Sequence, residues 1–259
     1  TRIDQFDRLA EANARENYSL VSDPLVRHRV YDGEIKLMGA NVNERTVFDL
    51  VGAGSSTNTV DGYHTYSDRY SIGLTHLVRT DLLIGGNFGQ SNIGLSGNDS
   101  TGGLHKDSIN LYALWTRNNW LVKTDVGYAR NSYTTSHALP ALELNNSATA
   151  TGNDAWAQIR LYTPAKQGLR LFVGARQERN QRSATTDTGS ALTAVDYAAS
   201  DLTTNTREAG IRFDRYVNDK VNVYAEYSKN NQQLQTAKAG LGYLSGPRST
   251  LQLGAFEQR

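Results

Sequence analysis

Apolar and polar residues alternate along the chain from about residue 34 onward, in segments of about ten residues. In the segment 120–129, Trp120, Val122 and Val126 belong to one face of an extended strand, and Lys123 and Asp125 belong to the other. The same alternation recurs at 34–43, 69–78, 156–162, 169–176, 209–214, 221–228 and 251–256. This two-residue period predicts strands with one apolar and one polar face.

The connections between these segments alternate in length. Short connections lie at 79–81, 118–119, 164–168, 218–220 and 245–248, and long polar stretches, which we interpret as loops, lie at 44–67, 92–106, 131–153 and 179–206. Alternating short turns and long loops are typical of outer-membrane barrels, whose tilted strands need about ten residues to cross the bilayer. We therefore predict an all-β fold, a transmembrane antiparallel β-barrel of about 12 strands in the outer membrane of a Gram-negative bacterium. The alternative is a soluble β-sandwich.

Residues 1–19 have a different period. Ile3, Phe6, Leu9 and Ala14 follow helical spacing, and charged residues of both signs cover the other sides. A helix of this length measures about 28 Å, close to the thickness of a bilayer core. We predict that 1–19 is a helix in the lumen of the barrel and that 20–259 forms the barrel itself.

The two faces of the strands predict two environments. The apolar face would meet lipid through Ile72, Leu74, Val122, Val126, Ile159, Leu171, Val173, Ile211, Val221 and Val223. The polar face would line the lumen through Lys36, Arg69, Lys123, Asp125, Arg160, Arg170, Arg176, Glu178, Arg212, Asp214, Glu226 and Lys238. Such charges need water, each other or a polar guest, because burying them dry is costly.

Composition narrows the possible functions. The 259 residues carry a formal charge of +1, which gives no large basic surface for nucleic acid. The chain has no cysteine and five scattered histidines, so we expect no metal site and no cofactor. No apolar run is long enough for a membrane helix, and no signal segment begins the sequence.

Two strand pairs carry a family resemblance. The segments YSIGLTHLVRTDLLIGGNFGQSNIGL (70–95) and SINLYALWTRNNWLVKTDVGYARNSY (108–133) each contain an alternating strand, a tight polar turn, a restart at leucine or an aromatic residue, and a G-F or G-Y ending. They resemble hairpins of the translocator domain of monomeric autotransporters (type V secretion). The resemblance implies a twelve-stranded barrel that anchors and translocates its own N-terminal passenger, with a helix in the pore. It also implies a monomer in outer-membrane lipid that is inserted by the barrel-assembly machinery.

The sequence departs from the family pattern in two ways. It ends in Phe256, Glu257, Gln258 and Arg259, whereas family members usually end with an aromatic residue. The pattern also gives about eleven clear strands, whereas both barrel termini should lie on the periplasmic side, which requires an even number. The missing strand could lie in 45–54, near 18–30, or beyond the end of this sequence.

Self-cleavage within the pore helix is a known variant of this family, and its candidate residues here would be Asn13 and Asp125. Asn13 is followed by Ala14, whereas the cleaving group has a second asparagine, so we predict no self-cleavage. A phospholipase is also excluded, because no histidine has a serine two residues further on. We therefore predict that the chain is not an enzyme. The alternative function is a pore, such as a porin or a polysaccharide-export barrel.

Overall fold

The computed structural model describes residues 28–43, 45–59, 64–97, 100–139, 144–186, 188, 196–246 and 249–258. The predicted helix at 1–19 lies outside the described residues. Within them, no helix is long and apolar enough to cross a membrane. The strands are β1 (His28–Asn43), β2 (Thr46–Thr59), β3 (His64–Arg79), β4 (Leu82–Gly97), β5 (Ser100–Arg117), β6 (Trp120–Leu139), β7 (Leu144–Tyr162), β8 (Leu169–Arg182), β9 (Thr185–Thr186), β10 (Asp196–Tyr197), β11 (Ser200–Tyr216), β12 (Val221–Asn230), β13 (Gln235–Gly246) and β14 (Ser249–Gln258).

Twelve of the described strands form one closed barrel, in the order β1-β14-β13-β12-β11-β8-β7-β6-β5-β4-β3-β2. All neighbours pair antiparallel, and β1 closes the barrel by pairing with both β14 and β2. The predicted fold is confirmed. The strand missing from the pattern is β2, which includes the candidate region 45–54, and β1 begins before the predicted residue 34. The short strands β9 and β10 pair only with each other.

The prediction of long loops was wrong in extent. The stretches 44–67, 92–106 and 131–153 are mostly paired strand, and β6 and β7 have 20 and 19 residues. Twenty residues extend about 66 Å, which exceeds the bilayer core even when tilted. The hairpins therefore continue beyond the membrane. Hydropathy alternation stops where the lipid stops, but backbone pairing does not, so the polar ends of the hairpins looked like loops.

The barrel has two distinct ends. We call the end where β1 leads into β2, β3 into β4, β5 into β6, β7 into β8, β11 into β12 and β13 into β14 the turn end, and the opposite end the hairpin end. His28 pairs with Thr59 and Gln258, so both barrel termini lie at the hairpin end. The sequence analysis placed both barrel termini on the periplasmic side, which in outer-membrane barrels is the side of the short turns. In the structure both termini lie at the end opposite the short turns, because β1 runs from the hairpin end toward the turn end and is joined to β2 there.

The turn between β5 and β6 shows why the short connections were predictable. Arg117 pairs directly with Trp120, which leaves only Asn118 and Asn119 to reverse the chain. Their φ angles are +49° and +64°. Two positive φ angles identify a type I′ turn, whose twist matches that of the flanking strands and which asparagine tolerates well.

The outward row of β6 gives a cross-section of the lipid-facing belt. It reads Trp120, Val122, Thr124, Val126 and Tyr128 before the charged Arg130. Trp120 and Tyr128 are about 26 Å apart along the strand, or roughly 20 Å across the membrane after tilting. Aromatic residues at both borders of an apolar band are typical of outer-membrane barrels.

The other outward rows follow the same plan. Among the predicted lipid-facing residues, the structure exposes Ile72, Leu74, Val126, Ile159, Leu171, Val173 and Ile211. Leu171 and Val173 are 56% and 55% exposed. A continuous surface of so many exposed apolar side chains would be unfavourable in water, and lipid is the environment that suits it. The remaining three, Val122, Val221 and Val223, are half-buried.

Candidate functional site: the barrel lumen

Ion pairs between distant strands identify the inner surface of the barrel. Arg160 on β7 lies 3.7 Å from Glu226 on β12, although β8 and β11 stand between these strands. Neighbouring strands are about 4.8 Å apart, so the two side chains meet only by leaning toward each other over a concave surface. Gly174 lies below the contact of Arg160 with Glu208, and a methyl group there would press against both side chains.

A charged wall covers the inner surface of β7, β11, β12 and β13. We define it as Arg160, Glu208, Arg212, Asp214, Glu226 and Lys238. Arg160 Nε donates a hydrogen bond to Glu208 Oε1 at 2.5 Å. Glu226 lies within 3.6–3.9 Å of cationic nitrogens on Arg160, Arg212 and Lys238. The side chains of Arg160 and Glu226 are only 8% and 7% exposed, so the charges stabilise one another rather than relying on bulk water.

An apolar wall lies on the inner surface of β3 to β6, near the turn end. We define it as Leu77, Leu83, Tyr112, Leu114 and Leu121, which pack together. The Tyr112 ring lies over Gly85, where there is no side chain to obstruct it. Its hydroxyl shares a hydrogen bond of 2.5 Å with Thr75 Oγ1, two strands away. The lumen therefore has walls of opposite character.

Between the two walls, β6 and β7 carry a polar contact. Lys123 and Asp125 are both buried on the inward row of β6. Trp156 Nε1 donates to Asp125 Oδ1 at 3.1 Å, and the indole ring lies over Gly127. Asp125, the barrel residue considered for self-cleavage, is thus held by an indole, while Asn13 lies outside the described residues.

The remaining predicted lumen residues have separate positions. Arg176 pairs with Glu178 at 2.8 Å and donates to Gln158 at 3.2 Å. Arg170 donates hydrogen bonds to the backbone oxygens of Asn119 and Thr163, and it thereby links two neighbouring connections at the turn end. Arg69 is half-buried on the inward row of β3, and Lys36 pairs with Val51 in the register of β1 and β2, although its side chain lies outside the described structure.

The sequence analysis did not assign Lys106, Asp154 and Glu208 to the lumen. Lys106 Nζ forms an ion pair of 2.7 Å with Asp154 Oδ2 and lies 5.4 Å from the centre of the Trp156 ring. Glu208 belongs to the charged wall. Lys106 was assigned to a loop, but the row Tyr112, Asn110, Ser108 would have reached it by simple alternation.

The ionisable side chains of the charged wall serve ion pairs and hydrogen bonds. The described part of the chain holds no cluster of three or more histidine, cysteine, aspartate or glutamate side chains that could bind a metal ion. Its buried carboxylates are engaged in ion pairs or hydrogen bonds. The lumen presents an apolar wall on one side and a charged wall on the other, and a polypeptide segment inside it would contact both.

Comparison with known families decides the identity of the barrel. The family described as "Autotransporter beta-domain" matches residues 49–255. The chain belongs to the autotransporter beta-domain family. It is thus an outer-membrane translocator of the Gram-negative type that anchors a passenger, and a porin or polysaccharide-export barrel is not favoured. This family consists of secretion barrels and is not an enzyme family.

Solved structures support the autotransporter fold. The translocator domain of autotransporter NalP from Neisseria meningitidis is similar with a TM-score of 0.66 and 12% identity, over 99% of this chain and 95% of that one. The beta domain of the Bordetella autotransporter BrkA gives a TM-score of 0.52 and 13% identity, over 89% and 98%. No curated protein matches the sequence.

Proposed function

We propose that this autotransporter barrel holds residues 1–19 as a helix inside its lumen, as the last part of the passenger linker. The observation that supports this is the opposition of an apolar wall and a charged wall within one lumen. Leu77 and Leu121 in the apolar wall are only half-buried, so they would meet water in an open channel, and an amphipathic helix would cover them.

The sequence of 1–19 is complementary to these walls. Ile3, Phe6 and Leu9 would form an apolar stripe that packs against Leu77 and Leu121, the half-buried members of the apolar wall. The basic and acidic residues on the other sides of the helix would face the charged wall, which also carries both signs. A helix of about 28 Å is long enough to occupy the membrane-spanning part of the lumen.

The position of His28 constrains how the helix is connected. His28 lies at the hairpin end, so residues 20–27 must end there as well. Eight extended residues span at most about 28 Å, which equals the length of the helix. The linker can therefore pass down the lumen as a helix and return to the start of β1.

Ion conductance in planar bilayers tests whether the helix occupies the pore. We expect the barrel with residues 1–19 to conduct poorly and the barrel without them to conduct well, because the helix displaces water and ions. Equal conductance of the two proteins would contradict a helix in the lumen.

Cross-linking tests where the helix lies, and the absence of native cysteines makes it unambiguous. Leu9→Cys should cross-link to Leu77→Cys, whose side chain points inward and is half-buried. The matched control is Val78→Cys, the next residue along β3, which points outward and is 42% exposed. Cross-linking to 78 but not to 77 would overturn the proposal.

We propose further that the predicted lumen residues line the path of the passenger during secretion, that the barrel-assembly machinery inserts the barrel, and that it acts as a monomer without cofactors. We also propose that the linker stays intact, since Asn13 lacks a following asparagine. Mass spectrometry of the folded, membrane-inserted protein should give the mass of the uncleaved chain. A cleavage product that ends at Asn13 and disappears in Asp125→Asn would contradict this.

A further inference from the structure

Two buried polar atoms on the inner surface of the barrel, near the hairpin end, lack a hydrogen-bond partner. They are Oδ1 of Asn131 on β6 and Nε of Arg182 on β8. Asn131 pairs with Gly152 and Gly152 pairs with Arg182, so the two side chains stand on either side of a residue that has none. Alternation places them in the inward rows that also carry Asp125 and Glu178. An unpaired acceptor beside an unpaired donor favours a polar guest in the lumen.

Arg182 is a cation that has no acid among the described residues. The neighbouring inward cations are each paired, Lys106 with Asp154 at 2.7 Å and Arg176 with Glu178 at 2.8 Å. A guanidinium group forms its strongest hydrogen bonds with a carboxylate. The guest that suits this part of the lumen therefore carries an acid.

The chain itself has an acid close to this position in the sequence of the linker. Residues 20–27 join the helix proposed above to β1, and Asp23 is the one acid among them. Pro24 follows Asp23, and the residue before a proline is biased toward an extended conformation. The sequence therefore predicts an extended linker around Asp23.

The barrel is narrow enough for Asp23 to reach Arg182. Twelve strands about 4.8 Å apart and tilted by about 40° form a barrel about 24 Å in diameter. β1 and β8 lie on nearly opposite sides of it, with four strands between them in one direction and six in the other. His28 begins β1 at the hairpin end, and the five residues from His28 back to Asp23 span about 17 Å when extended. The aspartate and arginine side chains extend toward each other over the remaining distance.

The position of the apolar wall agrees with this path. Ile3, Phe6 and Leu9 lie in the first half of 1–19, and the apolar wall that they would pack against lies near the turn end. The second half of the helix then points toward the hairpin end. In that direction residues 20–27 cross the mouth of the lumen to His28 and do not return along the lumen.

We infer that Arg182 binds the carboxylate of Asp23 and that Asn131 Oδ1 accepts a hydrogen bond from a backbone N–H of the same extended stretch. The contact fixes the linker at the hairpin end of the lumen and limits how far the helix can move along the barrel. This inference rests on the proposed function, which brings the linker to the mouth of the lumen.

Maleimide labelling of Ser22→Cys in the full chain tests the contact, because the chain has no other cysteine. A linker that is held against the wall exposes its thiol less often than a free one. We expect Arg182→Asp to raise the labelling rate roughly tenfold, as for the loss of one charge-assisted hydrogen bond. Asp23→Arg combined with Arg182→Asp should restore the slow rate. The matched control is Arg130→Asp, since Arg130 precedes Asn131 on β6 and points outward, and its labelling should stay slow.

Two results would overturn the inference. One is an unchanged labelling rate in Arg182→Asp, and the other is a charge-swapped double variant that is labelled as fast as Arg182→Asp. Heat-resistant migration in gels shows that each variant is folded, and Arg182→Gln, which removes the charge without reversing it, replaces the aspartate variant if that one does not fold.

Ion conductance of the same proteins separates this inference from the proposed function. A barrel that conducts poorly, and whose labelling rate does not respond to Arg182→Asp, has its helix in the lumen without the contact to Asp23. Slow labelling that responds to Arg182→Asp, in a barrel that conducts as well as the one without residues 1–19, would contradict the helix and not the contact.

Discussion

Arg160 on β7 and Glu226 on β12 are in ion-pair contact at 3.7 Å, across the two strands that separate them in the barrel. Glu226 also faces Arg212 and Lys238, so one carboxylate holds together three cations from three different strands. This places Glu226 at the centre of the charged wall.

Replacing that carboxylate should therefore destabilise the barrel. We expect Glu226→Gln to lower the free energy of unfolding by about 2–4 kcal/mol, because Lys238 then loses its ion-pair partner and Arg160 and Arg212 are left with Glu208 and Asp214 in a largely buried space. Urea unfolding in micelles measures the change. Glu178→Gln is the control, since Glu178 has Arg176 as its ion-pair partner and is 21% exposed, and its effect should be smaller. An equal loss in the two variants would contradict a central role for Glu226.

Gly127 should not tolerate a side chain, because the ring of Trp156 occupies the space that a methyl group would need. We expect Gly127→Ala to cost about 1–3 kcal/mol through overpacking and to disturb the hydrogen bond from Trp156 to Asp125. Trp156 fluorescence, measured with Trp115 and Trp120 replaced by phenylalanine, should shift. Gly54→Ala is the control, since the nearest atom there, Ser67 O, is 3.7 Å from the added carbon. Equal costs at Gly127 and Gly54 would refute this packing.

The turn at Asn118 and Asn119 should depend on backbone conformation. Both residues have positive φ, which β-branched residues disfavour by about 1–2 kcal/mol each. Asn119→Val should therefore lower the thermal stability, whereas Asn119→Gly should preserve it. A glycine variant as unstable as the valine variant would point to a lost side-chain contact instead of backbone strain.

Asp201 should titrate at unusually low pH. Hydrogen bonds from Arg179 and Gln181 at the hairpin end, outside the lipid-facing belt, lower its pKa from 3.8 to about 2. Because the pKa is lowered in the folded state, the pairing stabilises fully above pH 3.8 and is lost as the pH falls through about 2. NMR of the carboxyl carbon should show this midpoint, and Arg179→Gln should move it toward 3.8. A midpoint near 3.8 in the unmodified protein would contradict the pairing.

The sequence pattern predicted the strand faces that the membrane determines, and it missed strand segments where lipid does not select the side chains. Val126 and Asp125 were assigned to opposite faces because lipid and lumen require different side chains on alternate residues. The pattern did not predict β2, because glycines at 52 and 54 interrupt its outward row of apolar residues after Phe48 and Leu50. Beyond the membrane both faces meet water, so hydropathy no longer marked the strand that carries Lys106.

The contacts of the charged wall could not be read from sequence. Arg160 and Glu226 are 66 residues apart in the chain, and their meeting depends on strand order, tilt and the space above Gly174. Only the folded barrel brings them together.

The stability of paired arginine variants in lipid bilayers tests most directly that the apolar rows face lipid and the polar rows enclose the lumen. Val126 points outward and is 50% exposed, whereas Asn87 points inward at a similar depth two strands away. We predict that Val126→Arg lowers the free energy of unfolding by about 2–4 kcal/mol, and that Asn87→Arg lowers it much less. Equal losses, or a larger loss at Asn87, would contradict the account.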